Sequence, residues 1–305
     1  MFIVKNRTFF YILSSLIMLG SLFSLFFYGL TYGIDFKGGS IIDVRYTGTM
    51  PTLEEMKEGL ASSGITGYSV REAGLDGYII RTPHLSEVER QSALSAISNG
   101  GRWVGEVKRF DSVGPTLGKE LKSKALISLL LVILVIVIFI TFAFRKISEP
   151  VASWKYGIIA IIALIHDVVV PTGVFALLGH FKGAEVDSLF VTALLVILGF
   201  SIHDTIVVFD RVRENLRKNN ERRQKETFEE TVGKSVSQTF TRSINTSLTT
   251  LITLLALYIF GSDATRWFSL ALLVGIIAGT YSSVFLASPL LVTVERWQAK
   301  KQLKK

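Results

Sequence analysis

Cysteine is absent from this chain. Its absence excludes a disulfide scaffold, a cysteine-ligated zinc and thiol catalysis, and removes cysteine usage as a clue to compartment. Charge is scarce as well: charged residues make up 19% of the 305, against 49% hydrophobic, and the mean hydropathy is +0.45. A balance this apolar excludes an ordinary soluble domain and points to a chain that crosses a membrane several times. The net charge is +8, but its location matters more than its sum. No small-x-small cleavage site follows the first apolar run, which is also longer than the core of a signal peptide. It therefore reads as an uncleaved anchor, despite Lys5 and Arg7 ahead of it.

What is present is a set of six long apolar runs, over 9–30, 125–144, 154–178, 189–209, 244–260 and 268–292. Each is close to the roughly 20 residues that cross a hydrocarbon core about 30 Å thick. Four basic groups flank them: Lys5 and Arg7; Arg145, Lys146 and Lys155; Arg211, Arg213, Arg217, Lys218, Arg222, Arg223 and Lys225; and Lys300, Lys301, Lys304 and Lys305. Six spans put all four groups on one side, which the positive-inside rule makes the cytoplasm. The expected organisation is a cytoplasmic N-terminus and first span over 1–30 and an exported domain over 31–122. A five-helix bundle over 123–295 follows, with a basic cytoplasmic loop at 210–242, then a basic tail over 296–305.

The exported segment reads as β-α-β-β-α-β. "SIIDVRYT" (40–47) alternates as a strand, and "PTLEEMKEGLASSG" reads as a helix with Thr52 and Glu55 in a capping box and Gly64 at its end. "YSVREA" and "YIIRTP" flank the hairpin signal "GLDG". A second helix in "LSEVERQSALSAISNG" has Ser86 and Glu89 at cap positions, and "RWVGEVKRFDSV" closes as a strand. This order is the ferredoxin-like split βαβ arrangement. The segment holds no catalytic constellation, and its histidine, His84, reads as a surface loop residue. Gly38 and Gly39 allow a tight turn into the first strand.

The spans contain polar residues that lipid would reject. "ALIHDVVVPTG" places His166 and Asp167 mid-span, and "GFSIHDTIVVFDRVREN" (199–215) places His203 and Asp204 in the fourth. An aspartate near the bilayer centre costs about 2.5–3.5 kcal/mol on insertion scales, so it must face protein or water and have a partner. In the fifth span Arg242, Thr246, Thr249 and Thr253 recur at three- and four-residue spacing and share one helical face. An Asp on one helix and an Arg on the next make a proton switch: ionised, the pair closes; protonated, it separates. The threonines can instead bond their own backbone, the histidines can bridge helices, and Gly275 and Gly279 read as a close-packing face. A metal site or protease dyad built from His166, Asp167, His203 and Asp204 is a rival reading. It is weakened by neighbouring residues pointing about 100° apart on a helix and by the lack of a flanking Gly-Asp motif.

Four stretches carry a family resemblance. "YGLTYGIDFKGGS" (28–40), "VGPTLGKEL" (113–121), the fourth-span stretch and "SVSQTFTRSINTSLTTLITLLALYIFG" (235–261) resemble the signatures of the SecF family, covering nearly the whole chain in order. The first includes Gly33, Asp35, Phe36, Gly38 and Gly39. The resemblance implies a six-span relative of the RND superfamily with an exported ferredoxin-like domain. It implies SecD and the SecYEG channel as partners, a translocating preprotein as the load, and the proton motive force as the drive. There would be no enzymatic activity, no cofactor and no nucleic acid. Asp204 and Arg242 take the places of the family's span-four aspartate and span-five arginine, with Asp167, His203, Thr246 and Thr249 as supporting residues. Phe200 and His203 depart from the family's usual Tyr and Asn. The histidine favours protons over sodium as the coupling ion, although carboxylate and hydroxyl oxygens also suit a hard cation. A free-standing RND-like transporter of lipids or small molecules is the alternative, but it needs an internal duplication that this chain lacks.

Overall fold

The structure, a computed structural model, describes residues 2–98, 101–144, 151–223 and 226–302. Arg145, Lys146, Lys225, Lys304 and Lys305, which the topology argument used, lie outside the described residues. The elements in chain order are helix α1 (Phe2–Lys5), α2 (Arg7–Tyr28), α3 (Ile34–Lys37), strand β1 (Gly39–Tyr46), α4 (Leu53–Ser62), β2 (Ser69–Ala73), β3 (Gly77–Thr82), α5 (Glu87–Ser98) and β4 (Gly105–Val113). Helices α6 (Pro115–Ala143), α7 (Ser153–Lys182), α8 (Ser188–Glu221), α9 (Phe228–Phe260) and α10 (Asp263–Tyr281) follow; a π-helical turn (Ser282–Ala287) joins α10 to α11 (Ser288–Gln302). The chain divides into two units, Met1–Thr31 with Ile127–Lys305, and Tyr32–Leu126.

In the smaller unit the sheet order is β2-β3-β1-β4, antiparallel throughout, the ferredoxin-like arrangement. Alternate residues of β1 and β3 (Ile42, Val44, Tyr46, Tyr78, Ile80) are buried with Met56 and Leu60 of α4 and Ala93 and Ile97 of α5. Both expected capping boxes form: the Thr52 and Ser86 backbone N–H groups each donate at 2.8 Å to Glu55 and Glu89. These bonds, with those from the same residues' hydroxyls, hold both carboxyls below the usual glutamate range. The two glycine-rich stretches meet. Gly38 (φ +76°) and Gly39 (φ +135°) take conformations that L side chains rarely adopt; a Cβ on Gly39 would lie 2.7 Å from the Thr82 carbonyl oxygen, and one on Gly38 2.9 Å from Pro115 Cα. A Cβ on Gly118 would in turn lie 2.9 Å from the Gly38 nitrogen.

The larger unit contains six helices long and apolar enough to cross a membrane among the described residues, the sixth running from α10 through the π-turn into α11. Small residues let the helices approach closely. Gly173 of α7 sits against the backbone of Ser21, whose helix also sends Ser24 Oγ to the Gly173 carbonyl at 2.9 Å. Gly275 and Gly279 of α10 lie against Ile197 and Ser201 of α8, the close-packing face expected of them. Phe144, Tyr156 and Phe209 stack at one end of this core, with Tyr156 5.4 Å from Phe144 and 5.3 Å from Phe209 between ring centroids.

Apart from α2, the spanning helices are longer than the apolar runs, and residues 210–242 are not the loop that their charge suggested. Helix α8 continues to Glu221 and α9 begins at Phe228. Ion pairs one helical turn apart account for the first extension: Glu214 with Arg211 and Lys218, and Arg217 with Glu221. A Thr227–Glu230 capping box starts the second. Asn215 and Asn219 then bridge the two, donating to Ser235 and Gln238 and to Thr231. The basic run is thus the solvated face of a helical hairpin.

Candidate functional site

Asp167 lies on α7 and is fully buried. Three donors converge on its carboxylate: Ser201 Oγ from α8, Ser282 Oγ at 2.8 Å from the first residue of the π-turn, and His166 Nδ1 at 2.9 Å. One acid therefore ties α7, α8 and the sixth span together. The sequence placed His166 and Asp167 about 100° apart, yet the imidazole hydrogen-bonds to the neighbouring carboxylate rather than to another helix. Pro171, four residues on and lacking an N–H, removes the helical donor to the Asp167 carbonyl. A serine and threonine network extends this cluster. Ser283 donates to the Ser201 carbonyl at 3.2 Å and shares a 2.8 Å hydrogen bond with Thr205, while Ser288 reaches back to the Ser283 carbonyl at 2.8 Å.

Asp204, one turn beyond Ser201 on α8, has a different setting. It is 3% exposed, and its neighbours across the interface are Ser243 and Arg242 of α9, with His203 beside it in sequence. Asp204 Oδ2 and Ser243 Oγ are both buried and neither has a hydrogen-bond partner among the described residues. Arg242 acts on the acid electrostatically, but its side chain is exposed on the outer face of α9 and forms no ion pair among the described residues. His203 is likewise exposed. Thr246, Thr249 and Thr253 follow the outer face of α9 and donate to the carbonyls of Arg242, Thr246 and Thr249, at 2.9, 2.9 and 3.1 Å. Their hydroxyls thus serve their own backbone.

Of the residues singled out in the sequence, the fold brings Asp204 and Arg242 into electrostatic reach and sets Asp167 in a separate cluster. Gly33, Asp35 and Phe36 lie in and beside α3, where Phe36 is buried and Gly33 precedes the helix with extended backbone. Among the described residues no group of three or more His, Asp or Glu is placed to hold a metal, and Asp204 is not a partner of Asp167. Sequence reasoning missed Ser201, Ser243 and Thr205. The first was legible in principle, since Ser201 is three residues before Asp204 and shares its helix face. Ser243 stands next to Arg242 but is turned about 100° from it, onto the buried side of α9.

Known proteins agree with this architecture. Residues 97–297 match the domain described as "Protein export membrane protein SecD/SecF, C-terminal", and 23–50 match the "SecD/SecF GG Motif". A protein translocase subunit SecF of Thermobaculum terrenum is 43% identical over 304 residues, covering 96% of this chain and 93% of that protein. The SecF subunit of Anaerolinea thermophila is 37% identical, covering 96% and 94%. The crystal structure of SecDF, a translocon-associated membrane protein, from Thermus thermophilus superposes with a TM-score of 0.81 at 30% identity. It covers 96% of this chain, which spans 38% of the length of that SecDF chain. With the family's domain over most of its length, its glycine motif where the first strand begins, and six spans around a buried acid cluster, the chain belongs to the SecF family of protein translocase subunits.

Proposed function

We propose that this chain is the SecF half of a SecDF unit in the cytoplasmic membrane, with both termini cytoplasmic, and that it uses the proton motive force to help draw preproteins through SecYEG. The observation that carries the reading is Asp204: a buried carboxylate at a helix interface with an oxygen left unbonded, beside a fixed cation one helix away. Protonation there removes one negative charge from a site of low dielectric and weakens its attraction to Arg242. The potential supplies about 2.3 kcal/mol per proton for each 100 mV, enough to bias a two-state element. The exported domain, expected over 31–122, is the element whose movement would act on an emerging chain.

SecD fits the outer face of α9. Only 17% of that helix's spanning segment is buried, and its exposed side carries Arg242 together with Ile244, Leu248 and Ile252. A guanidinium on an outward helix face at the membrane calls for an acidic or polar partner helix rather than lipid. Preprotein export in cells carrying Asp204→Asn in place of the native chain tests the reading, with protein level and partner binding followed alongside. The expected result is loss of export with normal assembly; normal export would overturn it. Purification as a self-sufficient oligomer without a SecD-like partner would favour the free-standing transporter instead.

A further inference from the structure

The buried chemistry of the bundle does not end at Asp204. His166 is 2% exposed, and its two ring nitrogens are treated differently. Nδ1 meets Asp167 Oδ1 at 2.9 Å, whereas Nε2 is buried with no hydrogen-bond partner among the described residues. The ring lines a cavity of about 290 Å³ between α2, α7 and the sixth span, with Tyr11, Ser14, Ser15 and Met18 on one side and Leu286 and Leu290 on the other. Neither the titratable groups around it nor the hydroxyls bring a competing charge. Asp167 is on its own helix, Tyr11 is on α2 and bonded to Thr293 at 2.9 Å, and Tyr281 of α10 stacks 6.1 Å from the imidazole. Helix α8 brings only Ser201, through Asp167.

This geometry assigns protons a route. With Asp167 ionised and accepting from Ser201, Ser282 and His166, the pair is negative while the imidazole is neutral, and becomes neutral overall when Nε2 takes a proton. The carboxylate lies 2.9 Å from the nitrogen opposite Nε2, and the cavity that the ring lines is where a proton can arrive, since Ser15 and Ser14, whose hydroxyl also donates to Tyr281 at 3.2 Å, are polar groups on its wall. We propose that His166 is a second proton-binding site of this subunit, loaded at Nε2 through the cavity between α2, α7 and the sixth span, with Asp167 as its positioning carboxylate. The site is independent of Asp204 and stands whether or not that acid couples to export. Its output is the π-turn: Ser282, the first residue of that turn, holds the same carboxylate oxygen as Ser201, so a change of charge at the pair alters the hold on α8 and the sixth span together. Turns of this kind occur as single turns inside α-helices and often at functional sites.

The chain's composition makes the test direct. It has four histidines, and His84, His180 and His203 are all exposed. The triple variant H84Q/H180Q/H203Q leaves His166 as the one imidazole, and nitrogen NMR of the full chain in lipid bilayers reads its protonation. The expected result is a ring that passes from one protonated nitrogen to two as the sample is acidified, and that no longer does so when Asp167→Asn is added. A ring that keeps one neutral tautomer throughout would overturn the proposal. The lack of cysteine supplies a second measurement that leaves both residues intact. Ser15→Cys and Met18→Cys, facing the cavity, should react with a charged methanethiosulfonate about tenfold faster than Leu16→Cys and Leu19→Cys, because only a thiol in contact with water ionises. Equal, slow reaction at all four positions would also overturn it.

Discussion

Asp167 and Asp204 each follow a histidine, lie within the spanning part of the bundle, and have less than a twentieth of their surface exposed. Around Asp167 the neighbouring helices supply hydroxyls: α8 brings Ser201, and Gly279 lets α10 come close enough for Ser282 to reach the same carboxylate. Around Asp204 the neighbouring helix brings a single hydroxyl, that of Ser243, and an arginine that points away from the core. The first acid is held in place by three donors, and the proton proposed there goes to its histidine rather than to the carboxylate. The second retains an unbonded oxygen beside a cation, an arrangement in which a change of protonation disturbs little packing. The comparison teaches that burial alone does not make an intramembrane acid functional; the number of donors around it separates a strut from a switch.

The comparison can be broken most severely at the strut. Asp167→Ala leaves Ser201, Ser282 and His166 without their shared acceptor and should destabilise the bundle by about 3–5 kcal/mol. Asp204→Asn, which removes no hydrogen bond present in this structure, should leave thermal unfolding of the purified protein close to that of the native chain. Equal losses of stability in both variants would erase the distinction. A smaller effect is expected from Gly279→Val, whose new side chain meets Ser201 (a Cβ there is already 2.9 Å from the Ser201 Cβ). Forcing α10 from α8 should cost about 1–3 kcal/mol and make Asp167 more like Asp204, which hydrogen exchange around the π-turn would report.

The smallest effect sharpens the comparison from outside the bundle. Glu55 and Glu89 of the smaller unit accept donors as Asp167 does, but in water, and those bonds lower their carboxyl pKa. For a group depressed on folding, the added stability is present above its unfolded pKa and is lost as pH falls through the folded one. Hydrogen exchange at the first turns of α4 and α5 should therefore be unchanged from neutrality down to about pH 5 and accelerate, relative to the intrinsic rate, only below the usual glutamate value of about 4.3. Thr52→Ala should remove that dependence in α4 and leave it in α5.

Much of this molecule could be read before its structure was known. The six spans, both capping boxes and the β-α-β-β-α-β order depend on hydropathy and on residues a few positions apart, and each formed where local chemistry placed it. Charge was less reliable, because the basic run after Phe209 has the composition of a loop but pairs along a helix at three- and four-residue spacing. The roles within the acid cluster were the least legible. Asp167 looked the weaker candidate of two similar dipeptides, and apart from His166 nothing within ten residues of it names its partners.

What the sequence alone determined is therefore the number of spans, the class of the domain between the first two spans and the presence of acids where lipid forbids them, since helix length, period and hydropathy are properties of short stretches of chain. What only the tertiary structure decided is which acid is saturated, which face of α9 looks outward, and that His166, on the wall of a cavity, keeps a buried nitrogen without a partner among the described residues. Ser201 and Ser282 reach Asp167 from 34 and 115 residues away in sequence. Whether such a hydroxyl meets a carboxylate depends on how far each helix is rotated about its axis and how closely its small residues let it approach, and those are set by packing among all the spans at once.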